Sequence, residues 1–350
     1  MAEQVMLKNL TTTHVGGAAA EFTAAGTTEE LIEAVTRADA AGQPLLLIGG
    51  GSNLVISDDG FAGLAVQINT RGLHIEDRPD GKARLVVAAG EDWDAVVEYS
   101  LMHGLRGLEA LSGIPGRAGA TPVQNVGAYG TDVSQHLESI RAWDRSLGSV
   151  VELDNEQLEF SYRHSLIKET STAGTPRFVV LEVRFVLERS EQSAPVRYAE
   201  LARQLGVEPG ERAEAVLVRQ KVLELRRSKG MVYDPADADS HSTGSFFTNP
   251  IVEAGVLQRL PEGAPSYPVD EEGMVKLSAA WLISQAGFDK GFALAEGRAS
   301  LSTKHTLAMT NRGGASAQDI LALARAVRAG VQEKFGITLV NEPLLINLEL

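Results

Sequence analysis

Leu45-Leu46-Leu47-Ile48-Gly49-Gly50-Gly51-Ser52-Asn53 places three glycines directly after an apolar run. A short uninterrupted run of leucine and isoleucine suits a buried strand, and glycine lets backbone come very close to another group. A loop of bare N–H groups ending in Ser and Asn is a concave donor array suited to phosphate oxygens. It is not a Walker loop, because no Gly-Lys-Ser/Thr follows. Nor is it the dinucleotide fingerprint, whose glycines are spread and lead into a helix. A second strand-like run follows instead, Leu54-Val55-Ile56-Ser57. Strand, glycine loop and strand predict an anion cradle of a rarer kind, although the loop alone reads equally well as a tight turn.

Outward from this stretch, 350 residues are long for a single core and predict two or three domains. A hydrophobic content of 44% supports packed globular structure. The absence of cysteine excludes a disulfide scaffold, thiolate catalysis and cysteine-ligated metal, and it fits a reducing cytoplasm. Met1-Ala2-Glu3-Gln4 has neither the basic nor the apolar region of a signal peptide, and no apolar run approaches membrane-spanning length. With 46 acidic and 32 basic residues the net charge is −14, a field that repels nucleic acid and anionic membrane. The seven histidines are scattered along the sequence, so no metal site is expected.

Thr27-Thr28-Glu29-Glu30 reads as a capping box, with Leu31, Val35 and Ala38 following at helical spacing. A hairpin is expected to turn at Asp80-Gly81, between Leu73–Asp77 and 84–89. Helices are predicted from Asp92 to His103, Arg212 to Lys229, Ser278 to Gly287 and Ser316 to Phe335. Residues 230–244 read as a polar connector at a domain boundary. The run from Gly113 to Gly130 has neither helical nor strand periodicity, and loops so long and so small in side chain are usually functional or disordered. Its near-absence of charge argues against disorder. Two close-approach loops together suggest a large planar ligand lying against backbone.

The two loops, Gly107-Leu108-Glu109, Tyr162-Arg163-His164-Ser165 and Gly244-Ser245-Phe246-Phe247-Thr248-Asn249-Pro250 resemble the UDP-N-acetylenolpyruvoylglucosamine reductases of bacterial peptidoglycan precursor synthesis. The motifs run from Gly49 to Glu342, so the resemblance covers nearly the whole chain. It implies an α+β class: an FAD-binding fold of the vanillyl-alcohol-oxidase (PCMH) type in two subdomains, plus a smaller α/β substrate-binding domain. The subdomains would be 1–72 with 336–350, and 73–230; the substrate domain would be 231–335. The first subdomain would take back the C-terminal strand. The resemblance implies non-covalent FAD, NADPH as co-substrate and a UDP-linked sugar substrate, in a cytoplasmic monomer with no nucleic acid or membrane partner. Positions carried over to the cofactor are Gly49, Gly50, Gly51, Ser52, Asn53, Gly113, Pro115, Gly116, Gly119, Ala120, Gln124, Asn125, Gly127, Ala128 and Tyr129.

The implied reaction adds hydride to the terminal carbon of an enol ether, and the enolate formed beside the carboxylate is then protonated. Ser245 is the implied proton donor. A Ser beside Gly is most often a turn residue, and no neighbouring His makes it a nucleophile. A hydroxyl is a weak acid, yet a carbanion-like centre is a base strong enough to take its proton. Arg163 is the implied cation at the enolate, its planar guanidinium suited to a carboxylate; the ordinary reading is a surface ion pair. Glu342 is the implied acid partner, which beside an anionic intermediate must be protonated or held by Arg163. Tyr162, Tyr198, Lys229, Asn249 and Lys276 are the implied substrate contacts. Lys229 would meet the diphosphate, whereas Arg226, Arg227 and Lys229 also read as complements to a helix dipole. Tyr198 reads equally as a substrate cover or as buried packing.

Three places depart from the family pattern. Gly50 stands where many relatives carry another residue, Arg117-Ala118-Gly119-Ala120 varies a Thr-Val-Gly-Gly/Ala pattern, and the segment 230–242 is longer and more acidic. Two other functions stay open from the residues. One is a dioxygen-using flavin oxidase of the same fold, whose covalent flavin link through His or Cys finds no such residue in the long loop. The other is a non-catalytic nucleotide-sugar binding module, which would carry no flavin.

Overall fold

A computed structural model describes residues 4–172, 175–269 and 271–350. The chain divides into two units. The first comprises Gln4 and Val5, Ala19–Gly51 and Phe61–Ser228; the second comprises Met6–Ala18, Ser52–Gly60 and Lys229–Leu350. The chain leaves the first unit between Gly51 and Ser52, in the middle of the glycine-rich stretch.

In the first unit, strands Ala19–Ala25, Phe61–Ile68 and Leu45–Ile48 form a parallel sheet in that order. The helix Thr28–Ala40 joins two of them and starts on the expected capping box: Glu30 N–H donates to Thr27 Oγ1 (3.1 Å), and Glu30 Oε2 accepts from Thr27 N–H (3.3 Å). Its buried stripe of Leu31, Ala34, Val35 and Ala38 packs with Leu45, Leu64 and Val66. The second sheet is antiparallel, in the order Ser149–Asp154, Leu137–Asp144, Phe178–Arg189, Ala83–Ala88, Leu73–Asp77. The predicted hairpin is its edge. The strand Phe178–Arg189 serves two cores: Phe178 and Val180 alternate with Val179 and Leu181, and the register shift where Arg141 and Ala142 pair with Glu182 and Val180 puts the odd-numbered residues beyond it in the core of Phe178 and Val180. Val179 and Leu181 join the Thr28–Ala40 helix, while Val183, Phe185 and Leu187 pack with Trp93, Val96 and Val97 of the helix Trp93–Met102.

In the second unit, the helix Ala317–Phe335 buries Ile320, Leu323, Ala324, Val327 and Val331 in one core with the helix Ala279–Gln285. Its N-terminus carries a capping box from Ser316 and Asp319, and the Asp58 carboxylate also accepts from Ala317 N–H (2.9 Å). Strands Ile251–Glu253 and Ser266–Pro268 flank Met274–Leu277 in an antiparallel sheet, and Ala299–Leu301 pairs with Met309–Asn311.

Leu54–Ile56 is a strand, as its sequence predicts, but it does not share a sheet with Leu45–Ile48. Its parallel partner is the C-terminal strand Leu344–Ile346. Gly51, at φ +63°, adopts a left-handed conformation that turns the chain out of the first sheet. The acidic segment after Lys229, read as a polar connector, is packed in the second unit. Asp239 is buried and accepts from Thr303 N–H (2.8 Å), Thr303 Oγ1 (2.6 Å) and Arg312 Nη1 (2.9 Å), while Asp237 holds Lys304 Nζ (2.6 Å). Two histidines distant in sequence also meet: the rings of His14 and His241 stand edge to face at 4.7 Å, with the Tyr233 hydroxyl 3.0 Å from His14 Nε2. Among the described residues no three His, Cys, Asp or Glu side chains converge as metal ligands would.

Candidate active site

The two glycine loops of the first unit meet backbone to backbone. A Cβ built on Gly50 would lie 2.7 Å from Gly116 Cα, and one on Gly49 would lie 3.4 Å from Arg117 Cβ. Glycine at position 50 is therefore required by the second loop itself. That loop is tied to the sheet and helix behind it: Gly116 C=O accepts from Trp93 N–H (3.1 Å), Ala118 N–H donates to Glu91 C=O and Gly119 N–H to Ala89 C=O (both 2.9 Å). A Cβ on Gly119 would meet that of Ala89 at 2.5 Å. Gly113, at φ +69°, donates its N–H to Asp94 Oδ1 (2.6 Å), and Arg219 grips the same carboxylate in bidentate fashion at 2.6 and 2.9 Å. Burial pushes the Asp94 carboxyl upward, but the Arg219 and Gly113 bonds outweigh it and hold it below its ordinary value.

The distal part of the long loop is a two-residue hairpin. Gly127–Ala128 pairs with Thr131–Asp132, and Tyr129 and Gly130 both take positive φ, as the tightest hairpin turn requires. Asn125 is buried, and its side chain is used inside the loop: Oδ1 accepts from Ser134 N–H (3.1 Å), and Nδ2 donates to Ser161 C=O (3.2 Å). Its carbonyl, with that of Gly127, accepts from Arg163 Nη1 and Nη2 at 3.4 and 2.9 Å. Arg163 itself sits at φ +57°, a conformation that costs a bulky residue about 1–2 kcal/mol, in a turn closed by Ser161 and His164. Ser165 begins the helix Leu166–Glu169 and donates to Val123 C=O (2.6 Å), and Lys168 Nζ donates to Arg163 C=O (2.9 Å). The Tyr-Arg-His-Ser motif and the long loop are thus one construction. Tyr162 lies under the Arg163 guanidinium, 5.4 Å from it. Tyr198 is not buried: it is 39% exposed and stands edge to face with Tyr129 at 5.3 Å.

In the second unit, residues 244–248 form an extended segment held on both sides. Ser245 bridges Ala308, Phe246 N–H donates to Leu307 C=O (2.8 Å), and Phe246 C=O accepts from Glu342 N–H (2.8 Å). Phe247 bridges Asn341, so Ser245 and Glu342 lie on neighbouring segments within one residue of register. Asn53 belongs to the same construction, because its C=O accepts from Leu344 N–H (2.9 Å). Asn249 Oδ1 accepts from Ala279 N–H (3.0 Å) at the start of the Ala279–Gln285 helix, and Lys276 lies on the strand opposite Ile251. Lys229 follows directly on the helix Ala215–Ser228.

The family comparisons divide the chain in the same order. Residues 19–154 match the FAD binding domain family, and residues 234–346 match the family of the UDP-N-acetylenolpyruvoylglucosamine reductase C-terminal domain. The chain is 54% identical to the UDP-N-acetylenolpyruvoylglucosamine reductase of Saccharopolyspora erythraea, over 97% of this chain and 94% of that one. It belongs to the UDP-N-acetylenolpyruvoylglucosamine reductase family. The corresponding Thermobifida fusca protein is 50% identical over 100% of this chain and 99% of its own. The crystal structure of the Thermus caldophilus reductase superposes with a TM-score of 0.65 at 26% identity, covering 98% of each chain.

Sequence reasoning about this reductase fold misses two groups. Asp94 and Arg219 lock Gly113, although neither carries a motif. Arg226, read as a helix-dipole complement, is buried; desolvation lowers its guanidinium to about 10, against the pull of Tyr129 and Asp94. Its position on the buried face of a helix with Val218, Val222 and Leu225 is the signal that could have found it.

Proposed function

We infer that this chain is an NADPH-dependent flavoenzyme that reduces the enolpyruvoyl group of UDP-N-acetyl-3-O-(1-carboxyvinyl)-glucosamine to UDP-N-acetylmuramate, in peptidoglycan precursor synthesis. The observation that carries this reading is full-length identity of 50% or more to reductases of that name. The loops fit a flavin nucleotide. Gly49, Gly50 and Gly51 add no side chain, Arg117 is the sole charged residue of the two loops, and among the described residues the buried Arg117 Nε has no acceptor. Gly49, Gly50, Gly51, Ser52, Asn53, Gly113, Pro115, Gly116, Gly119, Ala120, Gln124, Gly127, Ala128 and Tyr129 would hold it, with Asn125 shaping the loop around it. When bound, the flavin relays reducing equivalents from NADPH to the double bond of the substrate.

The chain supplies charge and a proton. Arg163, its guanidinium oriented by two carbonyls, stabilises the enolate oxygen that develops beside the substrate carboxylate. Ser245 donates the proton to the adjacent carbon, and Glu342 is its acid partner. Tyr162, Tyr198, Lys229, Asn249 and Lys276 bind the UDP-sugar, the lysines facing its diphosphate. We further propose FAD-binding subdomains at 1–72 with 336–350 and at 73–230, a substrate domain at 231–335, and a monomer acting in the cytoplasm. The net charge of −14 favours a small-molecule partner over nucleic acid or anionic membrane, and among the described residues no helix is long and apolar enough to cross a membrane. Anaerobic titration tests the reading. NADPH should bleach the yellow flavin and the enolpyruvoyl substrate should restore it, whereas a colourless protein, or colour restored only by dioxygen, contradicts it.

A further inference from the structure

Between them, the stretches Gly49–Asn53 and Gly113–Gly130 contain one charged side chain, Arg117. Its stem packs on the first loop: the Cβ position of Gly49 lies 3.4 Å from Arg117 Cβ and 3.5 Å from Cγ. The side chain is 21% exposed, Nε is buried, and among the described residues Nε has no acceptor. The nearest carboxylate is distant for a hydrogen-bonded pair, with Asp92 Oδ2 3.9 Å from Nη1. Arg71 stands close enough to repel it, and Arg71 is itself engaged by Glu91 at 3.6 Å and by Gly90 C=O. In a chain of net charge −14, two guanidiniums thus stand near each other at a loop with no other charged side chain of its own, and among the described residues Arg117 Nε is a buried donor without an acceptor. Desolvation first, and then Arg71, lowers the Arg117 pKa, the direction that a bound anion would reverse.

We propose that Arg117 is a pyrophosphate-binding residue for FAD, adding a charge-assisted side-chain contact to a cradle that otherwise works through backbone N–H groups. The inference rests on the reading of the loops as the flavin site. Guanidinium matches phosphate oxygens through its planar fork, and a half-desolvated setting keeps that attraction from being fully screened. Asp92 and Glu91 are the opposing carboxylates, and Arg71 is the supporting cation.

The test dilutes holoenzyme in series at several KCl concentrations and reads released FAD by its fluorescence. Arg117→Ser should raise the FAD dissociation constant roughly tenfold and flatten its salt dependence. Arg117→Lys should keep most of the salt dependence with weaker binding, since it retains charge but not the fork. Asp92→Asn, which removes the competing carboxylate, should leave affinity equal to or tighter than the parent. Unchanged affinity and salt slope in Arg117→Ser overturn the proposal. An Asp92→Asn loss matching that of Arg117→Ser also overturns it, because the pair would then be a structural strut. A parent protein that purifies without flavin overturns the reading of the loops instead.

Discussion

In the first unit, the proposed cofactor cradle is mostly main chain: Gly50 sits so close to Gly116 that a Cβ would lie 2.7 Å from its Cα, and the loop behind is stitched to Ala89, Glu91 and Trp93. In the second unit, the main chain of 244–248 is consumed by its neighbours at 307–308 and 340–342, and the proposed chemistry falls to side chains, the Ser245 hydroxyl and the Glu342 carboxyl. The difference teaches where each kind of substitution should act. A new side chain should damage the glycine loops and a lost one should damage the Ser245 segment. Binding should fail in the first case with chemistry intact, and the reverse should hold in the second.

The largest expected effect is at Ser245. Ser245→Ala removes the proposed proton donor, and steady-state turnover should drop about 10²–10⁴-fold with flavin content unchanged. Loss of flavin in this variant would break the comparison. Next is Gly50→Val, whose Cβ has no room beside Gly116; it should purify with less than roughly a tenth of the parental flavin, read from the ratio of flavin to protein absorbance. Full flavin content would mean that the loops yield more easily than their close approach suggests.

Asp94 gives an intermediate effect and a pH dependence. Its carboxyl is held below its ordinary value in the folded protein, so its contribution is present above the unfolded-state value and is lost as pH falls through the folded one. The parent should therefore lose flavin and melting temperature progressively below about pH 4. Asp94→Asn should start lower and respond less to acid over that range, as thermal melts at stepped pH would reveal. Identical acid profiles would remove Asp94 from the account. The smallest effect is at Thr27, whose hydroxyl caps the helix Thr28–Ala40. Thr27→Ala should cost about 1 kcal/mol of stability in denaturant titration, with flavin content and turnover unaltered.

The glycine loops were legible because close backbone approach demands one residue type, which writes itself into sequence. The capping box at Thr27 and the hairpin at Asp80-Gly81 were legible for the same local reason. What the Gly50 approach was to could not be read locally: the partner is Gly116, a contact across two loops. The separation of Leu45–Ile48 from Leu54–Ile56 also depends on a distant partner, the strand Leu344–Ile346. Arg219 reaches Asp94 across 125 residues, and Arg226 is buried by tertiary packing that no helix-end rule anticipates. Ser245 and Glu342 are proposed through family resemblance alone, since a Ser after Gly and a Glu before Pro carry no chemical signature of their own.

The division of labour is tested most directly by following the two half-reactions of Ser245→Ala separately in an anaerobic stopped-flow cell. NADPH should bleach the bound flavin at the parental rate, and the enolpyruvoyl substrate should restore its colour slower by about two to four decades. Both halves slowed equally, or a second half at the parental rate, would contradict the account.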